Sequence, residues 1–469
     1  MFRFFNNTSV VKYLYLLIAT TIIVSCGNKK TVSSIAHFGG QIINPKSDKV
    51  YIYKNDKILD SSKLNVDNKF LIKLDSFSQG LYVFKHGNEY QWIYLEPNDS
   101  LLIRLNTWDF DESLVFSGKG AERNNFLVNL FLENQKEDKL FYKYYLLNDS
   151  IFELKIDSIL HRKNQRYHQF KSELTESSDF FEKLVNSAIN YPLYKKKEAY
   201  PYMHTLALRS RNHPKINPSF FNFRKKVDLN DNELNGYYPH QRYIEAYLSN
   251  IAYEKQVLDS FKSNINVNIM QAALENIKNE SIKNKFLRKG VWITLLDNKA
   301  SIKEKDRAKR LFFDHCTDKQ CVDEIEHLIN VSSKLVKNHM FPEISPYNFK
   351  DERVNLKTII KDKNSVIYTW PTKVSEMDYF AKRVKYLEKK YPDYLFIGIN
   401  SACSEYQWKK KIKSNKLNQE LQYRVDKGID WLDINFSRAI IVDKNGIVQN
   451  NMTHLANRHF ESQLSPLLQ

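Results

Sequence analysis

Three patterns of apolar and polar positions follow one another along the chain. From 36 to about 118, short runs alternate with period two or are briefly apolar: 49–53, 69–73, 80–84, 91–95 and 101–105. Asp67-Asn68 and Pro97-Asn98-Asp99 punctuate them as turns. Runs of this length bury one face each, and stacking two sheets is how such faces leave water; the pattern predicts a small antiparallel β-sandwich. From 125 to about 336 the spacing changes to every third or fourth residue. Ile244, Tyr247, Leu248 and Ile251 form one stripe, Met270, Leu274 and Ile277 another. Phe286, Leu287, Val291 and Leu295 continue it, as do Val322, Ile325, Leu328, Val331 and Leu335, so this stretch is predicted helical. No fixed repeat length emerges.

Beyond 337 the two patterns interleave. A strand is predicted at 365–370, then a helix over 373–391 with Met377, Phe380, Val384, Leu387 and Tyr391 on one face and Pro392 as its stop. A second apolar strand follows at 394–400. A strand pair over 439–448 turns at Asp443-Lys444-Asn445-Gly446, and 460–468 would be a closing helix.

The first residues change where the chain is expected to work. Arg3 and Lys12 flank an apolar core at 13–24 that is too short to span a bilayer. Ile23, Val24 and Ser25 lead into Cys26 in a run that looks like a bacterial lipobox. The expectation is removal of 1–25, lipidation at Cys26, a tether over 26–35, and an anchor in the cell envelope, on the outer membrane facing the periplasm. The formal charge of +17 would suggest nucleic acid inside a cell. Outside the cytoplasm that partner is mostly absent, so no nucleic acid is expected.

The order of elements after 337, with Trp370 closing the first strand, resembles the thioredoxin fold, in particular the TlpA-like thiol–disulfide reductases of the envelope. The run from Leu114 through Gly118, Gly120 and Glu122 to Asn125 is similar to the junction that follows their β-rich domain. The resemblance implies an α+β multidomain chain: an antiparallel β-sandwich over 36–118, a helical segment over 119–336 and a thioredoxin-like α/β/α domain over 337–469. It also implies a redox motif whose two thiols would fall on Val374 and Met377. Neither is cysteine, and none lies between Val322 and Ala402. Thiol exchange needs a thiolate at that helix start, where the dipole lowers its pKa. The proline that backs the redox centre in this family is replaced by Ser437 and Arg438.

The expected function is therefore non-redox, with no catalytic residue, cofactor or metal. A peptide or protein partner would lie in a groove lined by Trp370, Val374, Met377 and Ser437. Cys316 and Cys321 leave a local disulfide, two free buried thiols or a metal pair open; their spacing does not match a zinc motif. Cys403 is expected to be structural, and Glu376 and Asp378 to be ordinary dipole partners of a helix start. Two alternatives stand: a reductase using Cys403, or Cys316 with Cys321, and an accessory lipoprotein for nutrients or glycans whose helical segment does the binding.

Overall fold

The computed structural model describes residues 35–464, apart from 55–56, 76, 175–176, 211, 261, 371–376, 402–403, 426–428, 430, 432–436 and 458, and the side chain of 378. The expected signal segment, Cys26, tether residues 27–34, Val374, Glu376, Cys403 and 465–468 of the expected closing helix lie outside the described residues. The chain forms two compact units, one reaching Phe126 and the other running from Leu127.

Eight strands build the first unit: β1 (Ala36–Ile43), β2 (Lys49–Lys54), β3 (Lys57–Lys63), β4 (Lys69–Leu74), β5 (Gly80–His86), β6 (Glu89–Leu95), β7 (Ser100–Asn106) and β8 (Val115–Lys119). They make two sheets, β4-β1-β7-β8 and β3-β2-β5-β6. Phe38 of β1 meets Phe84 of β5 with ring centroids 5.4 Å apart, so the apolar faces close on each other. The sandwich is not purely antiparallel, however: β1 and β7 run parallel. Parallel neighbours need a crossover rather than a tight turn, and β2 to β6 supply it. The glycines after β7 serve turn geometry. Gly118 and Gly120 have φ of 84° and 93°, and a Cβ on Gly120 would stand 2.7 Å from the Asp99 carboxylate. That carboxylate is buried and takes the Arg123 guanidinium at 2.7 Å.

The second unit opens with helices α1 (Ala121–Asp138, which begins in the first unit), α2 (Asp149–Glu173), α3 (Asp179–Ala207), α4 (Tyr238–Leu258), α5 (Ile265–Asn276), α6 (Glu280–Leu296), α7 (Ile302–Phe313) and α8 (Lys319–Ser333). A hairpin bridge between Tyr347 and Arg353 and a short helix at Leu356–Ile360 lead into the sheet. The sheet consists of β9 (Asn364–Thr369), β10 (Tyr394–Asn400), β11 (Gln422–Arg424), β12 (Ala439–Val442) and β13 (Val448–Thr453) in the order β11-β10-β9-β12-β13. β9 and β10 are parallel; β12 is antiparallel to β9, and β13 to β12. This is the thioredoxin-like topology. Helices α9 (Met377–Lys390) and α10 (Glu405–Ser414) follow β9 and β10. At the far end, the described part of the expected closing helix is a single 3-10 turn, Glu461–Gln463.

Alternation along β9 shows what covers each face. Val366, Tyr368 and Trp370 pack with Phe380, Val384 and Leu387 of α9 and Trp408 of α10. Ile367, with Ile397, Ile440 and Val442, shares a core with Leu287 and Val291 of α6 and Leu328 and Val331 of α8. Helices α5 to α8 thus supply the second layer of the sheet. The expected boundary at 336/337 marks where the helical patterning stops, and the core runs through it.

Candidate functional site

In an open α/β sheet, ligands gather at the carboxyl ends of parallel strands. Here those ends are Thr369 and Trp370 after β9 and Asn400 after β10. The Trp370 indole is turned inward and is 4% exposed. Its Nε1 donates to Gln422 Oε1 at 3.1 Å, and Gln422 Nε2 donates to the Tyr368 hydroxyl at 2.9 Å. Gly398 of β10 makes room for this chain: a Cβ there would stand 2.0 Å from Gln422 Oε1. Met377 is buried in the same core.

Ser437 and Arg438 precede β12 at this end of the sheet. The backbone N–H of Arg438 donates to Thr369 Oγ1, and the Thr369 N–H to the Arg438 carbonyl, both at 2.8 Å. Ser437 is bonded to Nε2 of His454, which follows β13. The Ala456 N–H reaches His454 Nδ1 at 3.0 Å. A backbone N–H can only donate, so Nδ1 is the acceptor, and Nε2 carries the proton and donates to Ser437. A histidine in that tautomer cannot take the serine proton, so the pair is not a nucleophile with its base. Burial pushes the His454 pKa down to about 4. The ring meets Trp292 of α6 edge-on, with centroids 5.3 Å apart.

The helical layer is fastened to this same region. Asn451 of β13 donates to the carbonyls of Ser332 and Leu335 at the end of α8. Arg438 Nη1 donates to Ser332 Oγ at 3.2 Å. The expected groove is therefore closed where it can be described: Trp370, Met377 and Ser437 are each at most 8% exposed. Helices α9 and α10 cover Trp370 and Met377 on one face, and on the other Arg438 lies against the end of α8.

Cys316 and Cys321 are free thiols, so the local disulfide is not formed. Both are half-buried rather than buried. Cys316 sits in the link between α7 and α8, and Cys321 in the first turn of α8. A helix start ordinarily favours thiolate. Here burial, reinforced by the capping carboxylate of Asp318, pushes the Cys321 thiol up to about 12. Burial also raises Cys316. Removing the Asp318 charge is expected to recover part of the reactivity, since burial, the larger cause, stays in place. In Asp318→Asn, iodoacetamide alkylation of Cys321 at pH 8, followed by mass spectrometry, should speed up by roughly tenfold for each pKa unit recovered. An unchanged rate would show that Asp318 does not hold the proton.

A separate polar cavity of about 590 Å³ lies along α2 and α3, lined by Asn164, Glu182, Lys183, Asn186, Asn190 and Tyr194 among others. Sequence patterning gave no sign of it, because its amides sit on the polar faces of ordinary amphipathic helices. Gln422 and His454 were missed for a similar reason: each lies in a short, weakly patterned element, and only the packing around it makes it distinctive.

Neither a protein-family profile nor any curated protein matches the chain. Among solved structures, a thiol:disulfide interchange protein from a Bacteroides species shares 24% identity over 24% of this chain and 80% of its own, with a TM-score of 0.21. A Bacteroides vulgatus protein described as a thiol-disulfide oxidoreductase shares 18% over 29% of this chain and 99% of its own, at 0.26. A secreted Mycobacterium tuberculosis disulfide oxidoreductase shares 12% over 26% and 96%, at 0.23.

Proposed function

We propose that this chain is a cell-envelope lipoprotein, anchored through Cys26, whose thioredoxin-like sheet has lost thiol exchange and serves recognition of a peptide or protein partner. The observation that carries the reading is chemical. Between Val322 and Ala402 the sequence holds no cysteine, and the β9 end of the sheet is occupied by a buried Trp370–Gln422–Tyr368 chain. The two described thiols lie elsewhere, with their pKa values raised by burial. The alternative of a reductase working through Cys316 and Cys321 meets the same obstacle, since a protonated thiol is a poor nucleophile. Among the described residues no helix is long and apolar enough to cross a membrane.

Partner recognition cannot use the groove as first drawn, because three of its four lining residues are interior. The test is insulin reduction with dithiothreitol as electron source. The purified chain is expected to match the buffer rate, and so is a Cys316→Ser/Cys321→Ser/Cys403→Ser variant. A wild-type rate above that of the triple variant would overturn the redox-inactive reading. Metabolic labelling with a fatty acid, lost in Cys26→Ala, tests the anchor.

The polar cavity favours a second reading, an accessory lipoprotein whose helical segment binds a hydroxyl-rich nutrient or glycan. Amides, carboxylates and two lysines set around 590 Å³ offer the paired donors and acceptors such ligands need.

A further inference from the structure

Arg438 is 2% exposed and points to the sheet face shared with Ile440 and Val442. One of its terminal nitrogens, Nη1, has the Ser332 hydroxyl. The other, Nη2, is buried with no hydrogen-bond partner. No carboxylate among the described residues forms an ion pair with it. Buried charges in proteins are ordinarily paired and hydrogen-bonded, and the exceptions call for an explanation. The end of α8 supplies a partial one, since the carbonyl end of a helix favours a cation. It does not satisfy Nη2. The position matters too: Arg438 is bonded through its backbone to Thr369, at the carboxyl end of the parallel strand β9, where sheets of this kind hold ligands.

We propose that Arg438 is the buried anchor for a small oxyanion, a carboxylate or a phosphate, received at the carboxyl edge of the β9–β10 pair. Guanidinium presents planar N–H donors that match either group, and Nη2 is the donor left open. A side chain this enclosed excludes contact with a broad protein surface. The anion is thus one functional group of the ligand: a side-chain or terminal carboxylate of a peptide, or a phosphoryl group. This deepens the recognition reading above by naming the chemistry that would be recognised.

The experiment is thermal unfolding of the full chain in detergent, in a zwitterionic buffer, titrated separately with acetate, phosphate and, as the ionic-strength control, chloride. Wild type is expected to rise by about 2–4 °C, saturably, with acetate or phosphate beyond the effect of chloride. Which of the two acts identifies the source. Arg438→Met, which replaces an unpaired buried charge with an apolar side chain of similar length, should be at least as stable as wild type without anion and should show no saturable rise. If that variant does not fold, Arg438→Lys keeps the charge without the planar donors, and its titration midpoint should move at least about fivefold to higher anion. Wild type responding no more to acetate and phosphate than to chloride overturns the proposal. So does an unchanged response in Arg438→Met or an unmoved midpoint in Arg438→Lys. Failure here leaves the insulin result untouched, so loss of the anion site and loss of the redox-inactive reading are told apart.

Discussion

Gly398→Ala is expected to cost about 2–5 kcal/mol, measured as the shift in urea midpoint of the second unit. The added methyl would stand 2.0 Å from Gln422 Oε1 and 2.9 Å from Trp370 Nε1. Gln422 is fully buried, and its amide joins Trp370 to Tyr368. The side chain can swing away only by abandoning both bonds. Each buried polar group left without a partner costs about 1–3 kcal/mol, and two are at stake. Backbone strain is not the cause, since Gly398 carries no positive φ. A double variant, Gly398→Ala with Gln422→Ala, should recover part of the loss, because the smaller side chain no longer collides. If Gly398→Ala alone leaves the midpoint unchanged, the chain at the β9 end does not hold Trp370 inward.

Acid is expected to weaken the same unit through His454. Folded, its pKa lies near 4 because burial penalises the imidazolium; unfolded, it returns to about 6.5. Above pH 6.5 neither state is protonated and the group contributes no pH dependence. As pH falls from about 6.5 to 4 the unfolded chain takes up a proton that the folded chain refuses, so stability drops across that window and stops falling below it. The difference corresponds to about 3 kcal/mol. Carboxylates titrate in part of the same range, so the readout is the difference between wild type and His454→Gln. The variant should lose slope between pH 6.5 and 4, whatever its stability at pH 7. Parallel curves for the two chains would mean that the ring is protonated in the folded state at these pH values.

Both predictions concern residues whose importance comes from packing. The legible part of the site was negative: a count of cysteines between 322 and 402, set against the order of strand, helix and strand, showed that no thiolate could form at the start of α9. The same ordering put Trp370, Met377 and Ser437 in the segments that follow β9 and precede β12. Their exposure was not legible. The nearly continuous apolar run in β9 says that both faces are buried, and it does not say that α8 lies on one of them. Arg438 looked like a substitute for a missing proline; that its guanidinium is buried beside Ser332 needed coordinates.

The sequence by itself determined the alternation of elements, the turn glycines at 118 and 120 and the absence of cysteine between 322 and 402, because these depend on residues close together in the chain. It also implied a purely antiparallel sandwich, yet β1 and β7 run parallel, since local alternation is the same for both pairings. Only the tertiary structure decided that α5 to α8 provide a layer of the thioredoxin-like sheet, that burial and, after it, Asp318 raise the Cys321 pKa, and that one guanidinium is enclosed without an ion-pair partner among the described residues. Burial and charge pairing arise between segments a hundred residues apart. The free energy of an ionisable or polar group is set by what surrounds it in space, which periodicity along the chain does not record.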